Sequence, residues 1–473
     1  MTTPPPADER PGFVATVREA LRGTTSDLTA IPIRRAVVLL AVPTVLEMSM
    51  ESLLTIVDIF FVSRLGANAV AVVGLTESIL SLLYAVAMGL SAAATALVSR
   101  KTGEHDGDGA ARAAVQVVGL ALVLSVLFGG AGSAFAPTLL AAAGAEPSVI
   151  AEGATYTRVM FGGSFTIFVL FVLNAVFRSA GDATVAMRSL WIANSLNILL
   201  CPAFLFGVGP VPRMGVVGAA FAMTLSRGVG IGYLAFVLAR KSTRFALARK
   251  HLVVVGDVVR EILRIATTGS LQVLIETASW LGLVRILAAY GSAALAGYTI
   301  AMRIAVFALL PSWGLASAAA TLVGQNLGAK RPDRAESSVR TIALYNLVFL
   351  GGVGVVLACN PGSVTSLFTA QPVSRELAAD CLRVVALGFV FFAFGMVVVQ
   401  SFNGAGDTKT PMLVNLGCFW FFKIPLAWTL ANPLHLGAHG VFLAITAAYS
   451  LQAIVGGALF RRGRWKTVSV GAS

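Results

Sequence analysis

Three acidic side chains share one apolar segment near the start of the chain. Glu47, Glu51 and Asp58 lie within the apolar run 36–62. An α-helix turns about 100° per residue, so the three carboxylates fall within about 40° of one another around the helix. Ionisable groups are costly in lipid, so this face must look toward protein or water. We predict that Asp58 binds a coupling proton or alkali cation and that Glu51 adjusts its affinity.

The alternative is that one or more of these acids pairs with a basic side chain and has a structural role. This alternative stays open above all for Glu47, which lies nearer the end of its segment that we predict to be cytoplasmic. Basic residues placed in apolar segments that could serve as partners are Arg158, Arg227, Arg285, Arg303 and Lys423.

The chain contains an internal repeat. At an offset of 225 residues, MGLSAAATALVSRKTG (88–103) aligns with WGLASAAATLVGQNLG (313–328), and AGDAT (180–184) aligns with AGDTK (405–409). Membrane proteins built from two like halves commonly bind their cargo between the halves. The repeat therefore predicts a transporter before any single motif is considered.

The second half carries fewer acids at the equivalent positions. Glu276 aligns with Glu51, Gln272 stands where the first half has another acid, and the equivalent of Asp58 is apolar. Because Glu276 is alone in its segment, we predict that it binds a cation, either the coupling ion or a cationic substrate. The alternative is an ion pair between Glu276 and Arg303.

Other polar residues in the apolar segments are candidates for lining a cavity for substrate and ion. Asn194 and Asn197 interrupt one apolar run, although a helix–helix hydrogen bond worth about 1 kcal/mol explains them equally well. Pro43 is a candidate bending point of the first segment, since proline removes a helical hydrogen bond. The full predicted cavity set is Glu47, Met50, Glu51, Asn194, Asn197, Gln272 and Arg303.

The elements that hold these residues are membrane spans. Hydrophobic residues make up 57% of the chain and charged residues 12%, about half the charge of a typical globular domain. Each apolar run is long enough to cross a bilayer, and only helices satisfy their own backbone in lipid. The predicted spans are 36–62, 70–98, 113–142, 155–178, 186–208, 215–240, 260–289, 295–323, 339–369, 384–403, 411–434 and 440–460.

Six spans in each half give both halves the same orientation. We predict an all-α polytopic membrane protein with two six-helix lobes related by a pseudo-two-fold axis along the membrane normal. The predicted parts are an N-terminal tail (1–34), an N-lobe (35–240), a linker (241–259), a C-lobe (260–460) and a C-terminal tail (461–473).

The charge of the chain is basic and unevenly distributed. The net charge is +13, and most Lys and Arg residues lie in the segments on one side, including the link between the halves. The positive-inside rule then places both termini in the cytoplasm of a bacterial-type plasma membrane. The basic charge sets topology, so we expect no nucleic-acid partner.

Signals for other chemistry are missing from the sequence. No phosphate-binding Walker motif is present, and the four histidines and four cysteines form no metal-ligand pattern. No Ser/His/Asp grouping is visible either. We predict that the chain is not an enzyme and uses no cofactor or resident metal, apart from H+ or a transient Na+ at Asp58 or Glu276.

Several segments resemble one known family. LAVPTVLEMSMESLLTIVDIFFVSRLGANAVAVVGL (40–75) looks like the first-span signature of the multidrug and toxic compound extrusion (MATE) family. FRSAGDAT (177–184) and FNGAGDTKTP (402–411) resemble its loops after spans four and ten. NILLCPAFLFGVGPVPRMGVVGAAFA (197–222) and GQNLGAKRPDRA (324–335) are similar to further segments of it. The resemblance covers about residues 34 to 460 and is nearest to the DinF-like branch.

This resemblance implies an efflux antiporter with a V-shaped cleft, driven by entry of protons or sodium. Asp58 matches the first-span Asp that couples ion to substrate, and Glu276 matches, by its spacing to Gly291, a seventh-span Glu used in other branches. Two positions depart from the pattern. Cys201 stands where the DinF-like branch often has an Asp, and the tenth span has no acid.

The resulting prediction is a monomeric, cation-coupled efflux antiporter that works by alternating access. Its expected partners are small organic, cationic or amphipathic substrates and membrane lipids. One alternative is a lipid-linked precursor flippase of the related polysaccharide-exporter type, which should have a basic cavity. Another is a passive channel, which would show no ion-coupled accumulation.

Overall fold

Apolar runs of this length fold as helices because a helix satisfies its own backbone polar groups. The computed structural model describes residues 12–24, 26–209, 211–240, 248–369 and 371–470. In the first half the helices are α1 (Phe13–Arg22), α2 (Ile33–Ser63), α3 (Ala67–Gly103), α4 (Gly107–Ala134), α5 (Ala136–Ala142), α6 (Pro147–Gly162), α7 (Ser164–Ser179), α8 (Ala183–Phe206) and α9 (Val216–Ala239).

The second half repeats this order. Its helices are α10 (Gly256–Ala288), α11 (Ser292–Gly328), α12 (Pro332–Cys359), α13 (Pro361–Ser366), α14 (Pro372–Leu387), α15 (Phe389–Ala405), α16 (Lys409–Asn415), α17 (Ile424–Ala431) and α18 (Gly437–Arg461). A π-helical segment, Leu416–Lys423, joins α16 to α17, so these pieces form one continuous span.

The predicted number of spans is confirmed. Among the described residues, 11 helical segments are long and apolar enough to cross a membrane, and the pair α14–α15, bent by 53°, raises the number to 12. The predicted two-lobe arrangement is also confirmed. Pro43 lies within the continuous helix α2 and is buried, and its role as a bending point stays a prediction.

Three regions at the predicted boundaries have structure that the predicted parts did not include. The N-terminal tail contains helix α1, whose Glu19 forms an ion pair with Arg35 at 2.8 Å. The C-terminal tail buries Trp465 completely. Helix α10 begins at Gly256, inside the predicted linker, and residues 241–247 of that linker lie outside the described residues.

Helices α2 and α10 connect the two lobes. The first half of α2, including Val37 and Leu40, packs into a core formed with α11, α12 and α15. In return, Ile262 and Ile265 of α10 pack into the core of the first lobe. The two helices with candidate coupling acids therefore each contact both lobes.

The lobes approach closely on the face that carries both ends of the described chain. A Cβ atom on Gly103 would lie 2.0 Å from the carbonyl oxygen of Gln325, and one on Gly314 would lie 2.5 Å from that of Thr44. Glycine is needed here because two helix backbones from different lobes touch. The interface on this face has no room for a side chain at either position.

Segments near both chain ends bridge the lobes on the same face. Arg331, just before α12, donates to the carbonyl oxygen of Thr29 at 2.9 Å. Arg100, near the end of α3, donates to the carbonyl oxygen of Val468 at 2.7 Å. The N-terminal segment thus contacts the second lobe, and the C-terminal segment contacts the first.

Candidate functional site

The first lobe places two of the predicted acids against two of the predicted amides. Asn194 Nδ2 donates to Glu51 Oε2 at 3.0 Å. One turn further along α8, Asn197 Nδ2 lies 3.2 and 3.3 Å from the two carboxylate oxygens of Asp58. Spacings of three residues on α8 and seven on α2 keep each pair near one face of its helix, so both acids point toward α8.

A third acid and a base complete this cluster. Glu77 comes from α3, and Arg227 comes from α9. Arg227 donates to the Tyr84 hydroxyl at 3.0 Å and interacts electrostatically with Asp58, Glu51 and Glu77. We call Glu51, Asp58, Glu77 and Arg227 the N-lobe acid cluster.

The sequence prediction missed Glu77 and left Arg227 as one of five possible partners. Glu77 lies in the predicted span 70–98, so the rule that ionisable residues in spans are functional would have found it. The side chain of Glu77 is exposed, whereas Glu51 and Asp58 are half-buried. Glu77 is therefore the member of the cluster that solvent or a substrate reaches most easily.

The N-lobe acid cluster contains more acids than bases. The cluster itself has three carboxylates and one guanidinium, a net charge of −2 when all groups are ionised. Arg303 from α11 also interacts with Glu77, and both side chains are exposed, so at least one negative charge of the cluster stays uncompensated. Uncompensated charge inside a protein is unfavourable, so such a cluster binds protons or cations.

Cys201 lies beside the predicted coupling residue. Its side chain is buried on α8, and the thiol interacts electrostatically with the Asp58 carboxylate. The position where related proteins often have an acid thus still faces Asp58, but it adds no charge. Asp58 is therefore half-buried, with the amide of Asn197 and the thiol of Cys201 as neighbours.

Other members of the predicted cavity set are packed between helices. Glu47 is completely buried and forms an ion pair with Arg178 at the end of α7, a base outside the five candidate partners. Met50 is also buried. Neither residue reaches an open cavity in this conformation, because both are buried, and their assignment to a cavity stays a prediction.

Asn194 and Asn197 are buried too, and they make helix–helix hydrogen bonds as the alternative interpretation proposed. Their partners, however, are the acids of the cluster. Gln272 is buried with an unpaired Oε1 atom. Of the predicted cavity set, only Glu51 and Arg303 have accessible side chains. The two predicted coupling residues, Asp58 and Glu276, are also partly accessible.

The second lobe surrounds Glu276 with different groups. Its Oε1 accepts a hydrogen bond from the Tyr449 hydroxyl at 2.9 Å, and Lys423 interacts with it electrostatically. Lys423 Nζ donates to Ser279 Oγ at 2.7 Å. The predicted alternative partner, Arg303, is wrong, since Arg303 interacts with the acid Glu77 of the other lobe.

Comparison with known proteins finds the same family in each half of the chain. The family model described as MatE matches twice, over residues 43–203 and 270–429. A relative named "Probable multidrug resistance protein NorM" from Thermotoga maritima is 25% identical over 93% of this chain and 94% of its own length. A protein named "FAD transporter" from Shewanella oneidensis is 24% identical over 90% of this chain and 94% of its own length.

A solved structure agrees with the fold. The outward-facing conformation of a multidrug resistance MATE family transporter of the MOP superfamily is similar with a TM-score of 0.87. It is 27% identical and covers 93% of this chain and 97% of that chain. Together with the two family matches, this shows that the chain is a multi-pass membrane transporter that belongs to the MATE family of multidrug efflux proteins, and not an enzyme.

Proposed function

We propose that this transporter is an antiporter in which entry of H+ or Na+ drives export of small organic cations. The observation that carries the proposal is the N-lobe acid cluster, with three carboxylates and one guanidinium. A bound cation of any kind relieves the excess negative charge. Coupling ion and cationic substrate therefore compete for the same charge, which is the requirement for exchange.

Asp58 holds the coupling ion in this proposal, and Glu77 attracts the substrate. Asp58 is half-buried between Asn197 and Cys201, a setting that suits a proton or a small ion. Glu77 is exposed and suits a larger cation. Because binding linkage is reciprocal, an ion on Asp58 weakens substrate binding as much as substrate weakens ion binding.

In this proposal the transporter works by alternating access, in which the cleft between the lobes opens to one side of the membrane at a time. Helices α2 and α10 each contact both lobes. A change of charge on α2 therefore alters the packing at the interface between the lobes. The closely packed face, with both chain ends, is the cytoplasmic one in this proposal, and the protein acts as a monomer in a bacterial-type plasma membrane. A conformation closed toward the cytoplasm and open to the outside is the one that releases substrate.

The rival functions are less well supported. A flippase for lipid-linked phosphates needs a basic cavity, whereas the accessible groups of the first lobe are mainly acids. A passive channel needs neither mobile lobes nor charge competition. The relative named as an FAD transporter makes an anionic compound a useful comparison in the assay.

Gradient-driven flux from proteoliposomes tests the proposal. We expect a cationic dye to move against its gradient when a proton or sodium gradient is imposed, and Asp58→Asn to abolish this movement. Glu376→Gln removes an exposed carboxylate on α14 and serves as the matched control, which should keep full activity. A rate of dye movement that is the same with and without a proton or sodium gradient would overturn the proposal, as would full activity in Asp58→Asn.

A further inference from the structure

We propose that Lys423 is a tethered cation that occupies a cation-binding site beside Glu276 and so keeps sodium and organic ammonium ions out of the second lobe. The inference deepens the proposed function, because it assigns cation exchange to the first lobe alone. It also predicts that removal of one side chain creates a new binding site for monovalent cations.

The ammonium group of Lys423 lies in a box of aromatic rings. Its Nζ atom is 4.7 Å from the ring centroid of Trp280, 4.5 Å from that of Phe419 and 5.8 Å from that of Tyr449. Aromatic faces within about 6 Å of a cation attract it, and such boxes recognise ammonium ligands. The side chain is 0% exposed, so the box is completely filled by the protein's own cation.

The anionic part of the site is Glu276. Its carboxylate accepts from the hydroxyl of Tyr449, the same residue whose ring faces the ammonium group. Within the described residues, Lys423 and Glu276 form no direct ion pair within 4.0 Å, and Lys423 instead donates to Ser279. The carboxylate is thus balanced at a distance, through electrostatic interaction with Lys423.

The backbone that carries Lys423 is π-helical rather than α-helical. Lys423 ends the π-helical segment Leu416–Lys423, whereas the equivalent span of the first lobe is the regular helix α8. π-Helical turns are rare and frequently occur at functional sites, because the extra residue rotates the following side chains. Phe419 and Phe422 lie 225 residues after Asn194 and Asn197, so aromatic rings replace the amides of the first lobe.

The two lobes therefore differ in charge balance. The N-lobe acid cluster has an excess of carboxylates, whereas the site around Glu276 in the second lobe pairs one carboxylate with one ammonium group, that of Lys423. A buried ammonium group without a direct acidic partner is costly, and aromatic faces offset only part of that cost. We infer that the buried ammonium group of Lys423 is retained because it excludes sodium and organic ammonium ions from the site beside Glu276.

Binding of sodium-22 and tetramethylammonium to purified protein in nanodiscs tests the inference. The background variant Asp58→Asn removes the first-lobe site, and Lys423→Met is added because methionine is unbranched and uncharged. We expect this double variant to bind at least one of the two probes about tenfold or more tightly than Asp58→Asn alone, a difference of about 1.4 kcal/mol. Adding Glu276→Gln should abolish the new site.

Lys423→Arg in the same background is the matched control and should bind neither probe, since it keeps the tethered charge. The inference is wrong if folded Lys423→Met gains no site, or if its site survives Glu276→Gln. Melting temperature and elution profile decide whether the variant is folded.

A second measurement does not depend on the folding of Lys423 variants. Glu276→Gln alone should change sodium binding by less than about twofold, because Lys423 already occupies that site. A loss of sodium binding in this single variant would overturn the inference while leaving cation-coupled efflux itself intact. Binding is measured without gradients, so failure of dye transport would count against the proposed function only.

Discussion

At the scale of single residues, acids with similar surroundings in the sequence have different neighbours in the structure. Asp58 and Glu51 contact side-chain amides, and Glu77 is exposed. Glu47, on the same helix face as Asp58, is completely buried against Arg178. Exposure and hydrogen-bond partner, more than residue type, are therefore the basis on which we propose cation exchange for Asp58 and a structural role for Glu47.

Glu77→Gln should reduce the affinity for a cationic substrate more than it changes coupling. The exposed carboxylate attracts the substrate charge, and loss of one exposed charge interaction typically costs up to about 1 kcal/mol, or up to roughly fivefold in affinity. Dye binding and initial flux rates would measure the effect. Unchanged dye affinity, with loss of the response to the gradient, would instead make Glu77 the coupling residue.

Glu47→Gln should lower stability and leave coupling unchanged. The substitution breaks a pair in which Glu47 is completely buried, and breaking a fully buried pair costs about 3–5 kcal/mol; we expect less here because Arg178 is 21% exposed. Thermal unfolding in detergent would report the loss, with Glu104→Gln as a control for a surface pair. A normal melting temperature combined with lost coupling would contradict the structural role.

At the scale of helices, the sequence predicts the spans well because long apolar runs permit little else. It predicts individual contacts poorly. The partner of Glu47 depends on where α7 ends, and the position of Lys423 depends on a π-helical turn that leaves no clear pattern in the sequence. The sequence analysis did not predict helix α1, because this helix is amphipathic and lies in a polar, proline-rich segment without an apolar run.

The attachment of α1 should weaken in acid. Burial raises the pKa of Glu19, but hydrogen bonds from Arg35, Thr24 and Ser26 and the charge of Arg35 outweigh it, so the pKa lies below its usual 4.5. Stabilisation from a lowered carboxyl pKa is present above the unfolded value and is lost as the pH falls through the folded one. Proteolysis of residues near α1 should therefore accelerate below about pH 4.5.

Arg35→Gln removes the main partner of Glu19 and is the control for that measurement. This variant should show the faster cleavage already at neutral pH, with little further change in acid. Equal cleavage of wild type and variant at every pH would contradict the attachment through this pair.

At the scale of the whole molecule, close glycine contacts and both terminal segments hold the lobes together on one face. Gly103 of α3 touches the backbone of Gln325 in the other lobe, and Thr29 and Val468 each bridge to the opposite lobe. Glu51, Asp58 and Glu77 of the N-lobe acid cluster lie on α2 and α3, which both contact the second lobe. In the proposed mechanism, opening of this face is the step by which a change of charge on α2 alters the contact between the lobes.

Gly103→Ala should favour the conformation in which this face is open. The added Cβ would lie 2.0 Å from the carbonyl oxygen of Gln325, so the lobes must separate there. Spin-label distances across the interface should lengthen, and transport should slow because the closed state is rarer. Gly119→Ala, where a Cβ meets nothing within 4 Å, is the control. Identical distances in both variants would show that this contact does not hold the lobes closed.

The most direct test of the account is the number of cations released when substrate binds. Purified protein in weakly buffered solution is mixed with a cationic dye while the pH and free sodium are recorded. We predict release of a proton or a sodium ion on binding to the wild type, and dye binding without release in Asp58→Asn. Dye binding without any release in the wild type, or the same release in Asp58→Asn, would contradict the claim that ion and substrate compete at the N-lobe acid cluster.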